Sequence, residues 1–262
     1  MELNLIGKTA LVCGSTQGIG KATAIELAKM GANLVLIARN EIALKDTVAQ
    51  LSTASNQKHS FLVADFTQPN ELKKVITNFL NEGNKVHILI NNSGGPKGGA
   101  IKDAAPDEFL AAFNQHLICN HILVQAIYPT MIDEGYGRIV NVISTSVKQP
   151  LPNLGVSNTI RGAVANWSKT LANELGQFGI TVNNVLPGAT NTARLQSIAK
   201  IKADQFGETV EDVFIEMGSE SPMKRIAQPE EIAAAIAFLA SPAASYINGI
   251  NVPVDGGRTK SL

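Results

Sequence analysis

Seven short apolar runs punctuate the chain, at residues 9–13, 34–38, 60–64, 86–90, 138–143, 181–186 and 250–254. None alternates strictly between apolar and polar positions. Such runs predict strands buried on both faces, as in a parallel sheet. Longer stretches with helical spacing lie between them. Residues 18–30 are rich in Ala, Ile and Leu and close on Gly31, a suitable helix terminator. Residues 107–132 form one long, mostly apolar stretch. In 155–178, Ile160, Val164, Trp167, Leu171 and Leu175 recur every three or four positions, so one face is apolar. Residues 230–240 follow Pro229 and open with two acids, a good helix start. Strand–helix alternation with short connections predicts an α/β fold. The expected form is a doubly wound parallel sheet of seven strands with helices on both faces. Ligands bind such sheets at the carboxyl ends of the strands, where the strand order switches.

Composition narrows the picture. With 262 residues, 45% of them hydrophobic, the chain can build one core, so a single domain over 1–262 is expected. Lys plus Arg equals Asp plus Glu at 22 each. No basic patch stands out, which argues against a nucleic-acid partner. No run approaches the roughly 20 apolar residues of a membrane span. Met1-Glu2-Leu3-Asn4 lacks the pattern of a signal peptide. Cys13 and Cys119 are the only cysteines, which points to a reduced, cytoplasmic protein without disulfides or a metal site.

The candidate chemistry begins after the first strand. Gly14-Ser15-Thr16-Gln17-Gly18-Ile19-Gly20 leads from that strand into the first helix. Gly14 permits a tight turn, Gly18 lets the backbone approach a pyrophosphate, and Gly20 permits close helix packing. The helix start offers amide donors and a positive dipole end. Taken alone, the turn could be an ordinary strand–helix connection. Further motifs follow: Asn91-Asn92-Ser93-Gly94, the strand 138–143 ending at Ser144, Pro187-Gly188-Ala189-Thr190-Asn191-Thr192, the run 225–233, and Asn248-Gly249 to Asp255-Gly256-Gly257. In order and spacing this set resembles the short-chain dehydrogenase/reductase family, over essentially the whole chain. The branch most similar over its length is the 3-oxoacyl-carrier-protein reductase type.

The resemblance implies a nicotinamide cofactor and a Rossmann-type sheet. It assigns Gly14, Ser15, Gln17, Gly18, Ile19, Gly20, Ser93, Gly94, Pro187 and Gly188 to the cofactor cradle. Asp65 and Phe66 would flank the adenine, and Asn91 would lie near the adenosine ribose. Thr190 and Thr192 would hold the nicotinamide amide and the pyrophosphate. The second strand ends Ala38-Arg39-Asn40, without the carboxylate that selects NAD. Arg39 could instead pair with a 2′-phosphate, or it could simply be solvated. NADP(H) is favoured.

The catalytic positions depart from the family. Ser144 matches the serine that polarises the substrate oxygen, although a strand-end serine can also cap backbone. The family's tyrosine position holds Ser157, a much weaker acid than a phenol. Its lysine position, four residues on, holds Arg161. Positions i and i+4 share a helix face, so the geometry survives. Arginine can bind ribose hydroxyls, yet it stays protonated and cannot relay a proton. The family's asparagine position falls on His116, with Asn114 and Asn120 nearby. His116 reads equally as a core histidine or as the one side chain of the cleft that titrates near neutral pH.

Three functions follow. The first is an NADP(H)-dependent oxidoreductase interconverting a carbonyl and an alcohol, with an atypical set of Ser144, Ser157, Arg161 and His116. The second is a non-catalytic NADP(H)-binding sensor or partner subunit. The third is different chemistry on an anionic substrate at Arg161. Residues 193–220 would form the lid over a small-molecule substrate. The resemblance, with the two apolar stretches 107–132 and 155–178, implies a homotetramer.

Overall fold

The computed structural model describes residues 1–261. Seven strands form one sheet: β1 (Thr9–Cys13), β2 (Asn33–Ala38), β3 (His59–Val63), β4 (Ile88–Asn91), β5 (Gly137–Val142), β6 (Ile180–Pro187) and β7 (Asn251–Val254). Every neighbouring pair is parallel, in the order β3-β2-β1-β4-β5-β6-β7. The seven runs in the sequence correspond to these strands within two residues at each end. The helices are α1 (Gly18–Lys29), α2 (Glu41–Val48), α3 (Pro69–Asn81), α4 (Pro106–Phe113), α5 (Cys119–Asp133), α6 (Gly155–Leu175), α7 (Ala193–Phe206), α8 (Val210–Ser219) and α9 (Pro229–Ala240). Among the described residues no helix is long and apolar enough to cross a membrane.

Alternate residues of the strands feed two cores. Ala10, Val12, Leu34, Leu36, Ile88, Ile90, Val140 and Val142 pack with α1 and α9 on one face. Leu11, Cys13, Val35, Ile37, Leu89 and Ile139 pack with α3, α5 and α6 on the other. Both faces are therefore apolar, which is why the sequence shows continuous runs.

One row breaks that rule. Asn91, Asn141, Asn184 and Asn251 stand opposite one another across β4, β5, β6 and β7. Their amides link in series, Asn91 to Asn141 at 2.8 Å, Asn141 to Asn184 at 3.0 Å and Asn184 to Asn251 at 2.8 Å. Asn141 also donates to Ser168 Oγ of α6 at 3.2 Å. A buried amide is tolerated because its neighbour in register satisfies it.

The stretch 107–132 is not one α-helix. Between α4 and α5 the chain makes a single π turn, Asn114–Ile118, which contains His116. The apolar spacing continues through the turn, so periodicity alone predicted an unbroken helix. π turns recur at functional sites.

Replacing Asn141 by Leu strands the amides of Asn91 and Asn184 in the interior. Each lost partner costs about 1–3 kcal/mol. We expect Asn141→Leu to lower stability by about 2–4 kcal/mol in urea denaturation; a loss below about 1 kcal/mol would contradict the role given to the row.

Candidate active site

The strand order reverses between β1 and β4, and their carboxyl ends meet there. Gly14 (φ +58°) and Gly18 (φ +53°) adopt left-handed backbone that side chains disfavour. A Cβ on Gly14 would lie 2.7 Å from Asn92 O, and one on Gly20 would lie 2.2 Å from Gly14 O. Asn92 Nδ2 donates to Cys13 O at 3.2 Å and Gly14 O at 3.4 Å, so it bridges the two strand ends. Across the cleft, a Cβ on Gly18 would meet Thr192 Cγ2 at 3.0 Å. Gln17 caps α1 without a side-chain hydrogen bond, and the first turn holds no acid, so its amides are open to an anion. Ser15 Oγ is buried with no partner. Ile19 packs its side chain on the first core and contributes backbone to the turn. This is a cradle that fits a pyrophosphate: donors and close backbone, with side chains kept out.

The other residues expected to hold a cofactor stand as follows. Arg39 is exposed at the end of β2, with Nη1 4.0 Å from Asp65 Oδ2. Asp65 Oδ1 accepts the Thr67 N–H at 2.9 Å. Phe66 is buried, and its carbonyl accepts Cys119 Sγ at 3.2 Å. Asn91 Oδ1 is buried and unpartnered. Pro187 ends β6, and Gly188 is pressed so close to Asp255 that a Cβ would lie 2.7 Å from its Cα. Thr190 Oγ1 donates to Gly188 O at 3.0 Å, and Thr192 caps α7 by accepting the Leu195 N–H at 3.3 Å. The small cavity lined by Met217, Met223, Asp255 and Arg258 contains none of the residues expected to hold the cofactor.

The catalytic candidates gather around the end of β5. Ser144 Oγ accepts the Ser146 N–H at 3.1 Å, capping the 3-10 turn Thr145–Val147. Its own O–H remains available to donate. Arg161, on α6, is buried and donates Nη1 to Val142 O at 3.1 Å, the last carbonyl of β5. Burial, followed by the charge of Arg194, lowers its pKa to about 10, so it stays cationic at neutral pH. Ser157, one turn before Arg161, is half-buried. Its hydroxyl makes no hydrogen bond among the described residues.

His116 sits in the π turn, only 1% exposed. Its Nδ1 lies 2.7 Å from Ser93 Oγ, and its Nε2 is buried without a partner. Burial, with Arg161 and Arg194 adding to it, holds the pKa down at about 2. Of the two readings left open for His116, the structure agrees with the buried histidine and not with a group titrating near neutral pH. Two nearby cations and a dry environment keep this imidazole neutral.

Sequence reasoning missed three residues. Asn92 belongs to the Asn91–Gly94 motif, whose pattern assigns it no role of its own. Gln115 and Arg194 carried no signal at all. Gln115 Nε2 donates to Gly94 O at 2.9 Å. Arg194, on the first turn of α7, donates to Gly95 O at 2.6 Å and Pro96 O at 2.7 Å. Four consecutive residues, Ser93 to Pro96, are thus gripped from the π turn and from α7.

Comparison with known proteins agrees with this geometry. Residues 14–259 match the family model described as enoyl-(acyl carrier protein) reductase. The oxidoreductase UcpA of Escherichia coli K12 is 33% identical over 259 residues, covering 97% of this chain and 95% of UcpA. The NADPH-dependent reductase BacG of Bacillus subtilis is 30% identical, covering 97% and 99%. The crystal structure of L-sorbose reductase from Gluconobacter frateurii, complexed with NADPH and L-sorbose, superposes with a TM-score of 0.94 at 31% identity, over 100% of both chains. The chain belongs to the short-chain dehydrogenase/reductase family, a family of oxidoreductases.

The neutrality of His116 has a measurable consequence. In the unfolded chain its imidazole takes up a proton near pH 6.5, and in the folded chain only near pH 2. Between those values the unfolded state binds more protons, so stability is lost as pH falls below 6.5. From pH 7 to pH 5 we expect wild type to lose about 2 kcal/mol more than His116→Asn in urea denaturation. Equal losses in the two proteins would contradict a buried neutral imidazole.

Proposed function

We propose that this chain is an NADP(H)-dependent oxidoreductase that interconverts a carbonyl and an alcohol. It would be 3-oxoacyl-carrier-protein reductase-like in its scaffold, with a rebuilt set of reacting groups. The observation that carries the reading is the cradle at Gly14, Gly18 and Gly20, whose backbone closeness excludes side chains while Ser15 Oγ and the α1 amides stand without partners. The absence of an acid at the end of β2, with Arg39 exposed there, supports NADP(H) over NAD(H). The NADPH named for BacG and for the sorbose reductase complex supports it further. Residues 1–262 would act as one domain, with α7 and α8, within 193–220, as the lid over a small-molecule substrate. A cytoplasmic homotetramer is the assembly we infer, with the exposed Tyr246 and Ile250 as part of its surface.

Bound NADPH would supply the hydride. The chain's own residues would then manage position and charge. Ser144 has a free O–H, because its lone pair takes the Ser146 amide, and it would donate to the substrate oxygen. Arg161 would stabilise negative charge on that oxygen and hold ribose hydroxyls, with its fork fixed by Val142 O. His116 cannot serve as an acid at neutral pH. As the tautomer whose Nδ1 accepts from Ser93, it would present Nε2–H as a neutral donor. Ser157 has no adjacent base, so the final proton would come from water beside its hydroxyl. Removing a positioned phenol acid typically costs 10²–10⁴-fold, and slow turnover is expected.

Purified protein should oxidise NADPH with members of a carbonyl panel, and Ser144→Ala should lower kcat by roughly 10²-fold. The alternative, a non-catalytic NADP(H)-binding sensor or partner subunit, is favoured by the unpartnered Ser157. It predicts tight NADPH binding with no oxidation above background. Arg39→Ala should weaken NADPH binding by about tenfold and leave NADH unchanged. Equal effects on both would overturn the assignment of the 2′-phosphate to Arg39.

A further inference from the structure

The segment between β6 and α9 leaves the body of the protein and returns through a narrow neck. At the neck, the Asn191 N–H donates to Ala227 O at 2.8 Å, and the Ala227 N–H donates to Ala189 O at 2.9 Å. Between these points α7 and α8 pack chiefly on each other, around Ala199, Ala203 and Val213. That small cluster is separate from the two cores on the faces of the sheet. Two helices joined to the rest by a short neck, with a core of their own, belong to the part of a fold that opens at low cost.

The start of this segment crosses the mouth of the crevice between β1 and β4. On one wall, Thr192 Cγ2 stands 3.0 Å from where a Cβ on Gly18 would be. On the other, Arg194 Nη1 donates to Gly95 O at 2.6 Å and Nη2 to Pro96 O at 2.7 Å. A Cβ on Gly95 would lie 3.0 Å from Nη2, so the guanidinium rests directly on the loop backbone. The loop is itself a fixed post. Ser93 meets His116 at 2.7 Å, Gln115 Nε2 donates to Gly94 O at 2.9 Å, and the Gly99 N–H donates to Asn153 O at 2.8 Å. The moving part is therefore α7. Arg194 is exposed, so water can replace the two carbonyls as they separate, and no charge is stranded in the interior. Both bonds join groups of the chain itself. An interaction made equally with and without a ligand shifts no binding equilibrium, yet it raises the barrier that the ligand crosses in each direction.

We propose that residues 192–194 form a strap over the dinucleotide crevice, that Arg194 is its latch, and that release of Arg194 from Gly95 and Pro96 gates the entry and exit of NADP(H). The gate rests on the NADP(H)-dependent reading and adds to it what controls cofactor exchange. Arg194 and Gly95 act on the rate of exchange and stand outside the set of reacting groups. A dinucleotide seated on the glycine cradle lies beneath the strap and leaves when the latch opens.

The test is stopped-flow mixing of the full-length protein with NADPH, where nicotinamide fluorescence gives both rates. We expect Arg194→Gln to raise association and dissociation by about tenfold each and to leave Kd within about threefold of wild type. Gly95→Ala, whose methyl group displaces the guanidinium, should reproduce that pattern. The double variant should be no faster than either single variant, because both remove the same latch. Hydrogen exchange in the free protein adds a reading that needs no cofactor. The amides of Ala199 and Ala203 should lose about tenfold of their protection in both variants, while those of Val12 and Val140 keep theirs. The latch is overturned if α7 exchanges as in wild type, or if the two single effects multiply in the double variant. It is also overturned if dissociation alone speeds up and binding weakens, since Arg194 would then hold the cofactor directly. NADPH binding with rates untouched in both variants would sink the latch and leave the oxidoreductase reading standing. A protein that binds no NADPH would sink the oxidoreductase reading, and the gate with it.

Discussion

Two strand ends meet at a junction with no room for a side chain, and everything else in the cleft is placed from there. Gly20 packs so closely on Gly14 O that a single methyl group would force them apart. Asn92 then ties the end of β1 to the residue after β4. Because β1 and β4 are fixed to one another at the point where the strand order reverses, the start of α1 points into the crevice. The asparagine row from β4 to β7 carries the same register outward to β5 and β6. Ser144, Arg161 and Thr190 inherit their positions from that register.

On the function proposed above, the groups at the expected catalytic positions would differ from the family in a connected way. With Arg161 where the resemblance expects lysine, a proton relay would become a permanent charge. Burial first, and then the charges of Arg161 and Arg194, hold the His116 imidazole neutral, and its Nε2 has no partner. Ser93 receives the other edge of the ring at 2.7 Å. Ser93 and His116 are thus joined by a hydrogen bond, and Arg161 acts on His116 through its charge. A decayed site would hold unrelated substitutions. Here Arg161 acts on His116 and His116 meets Ser93, which would support a rebuilt site, whereas Ser157 makes no hydrogen bond among the described residues.

The strands were legible because residues buried on both faces leave continuous apolar runs. The glycine turn was legible because positive φ at Gly14 and Gly18, and the contact at Gly20, demand glycine whatever the surroundings. Other features had no local signature. The π turn at 114–118 leaves the apolar spacing of the helix undisturbed. Arg194 acquires its role through hydrogen bonds to carbonyls almost a hundred residues away. The state of His116 depends on burial and on two arginines from other elements, none of which a sequence pattern encodes. The helices α7 and α8 do carry a local signature in their caps, Thr192 for α7 and the Thr209–Asp212 capping box for α8.

The most direct test of the account is to follow the label from [4-²H]NADPH during incubation with a panel of carbonyl compounds that includes oxo acids. The account predicts deuterium on the carbinol carbon of the product alcohol, formed slowly, and lost in Ser144→Ala. Tight NADPH binding with all of the label retained in the cofactor would contradict it.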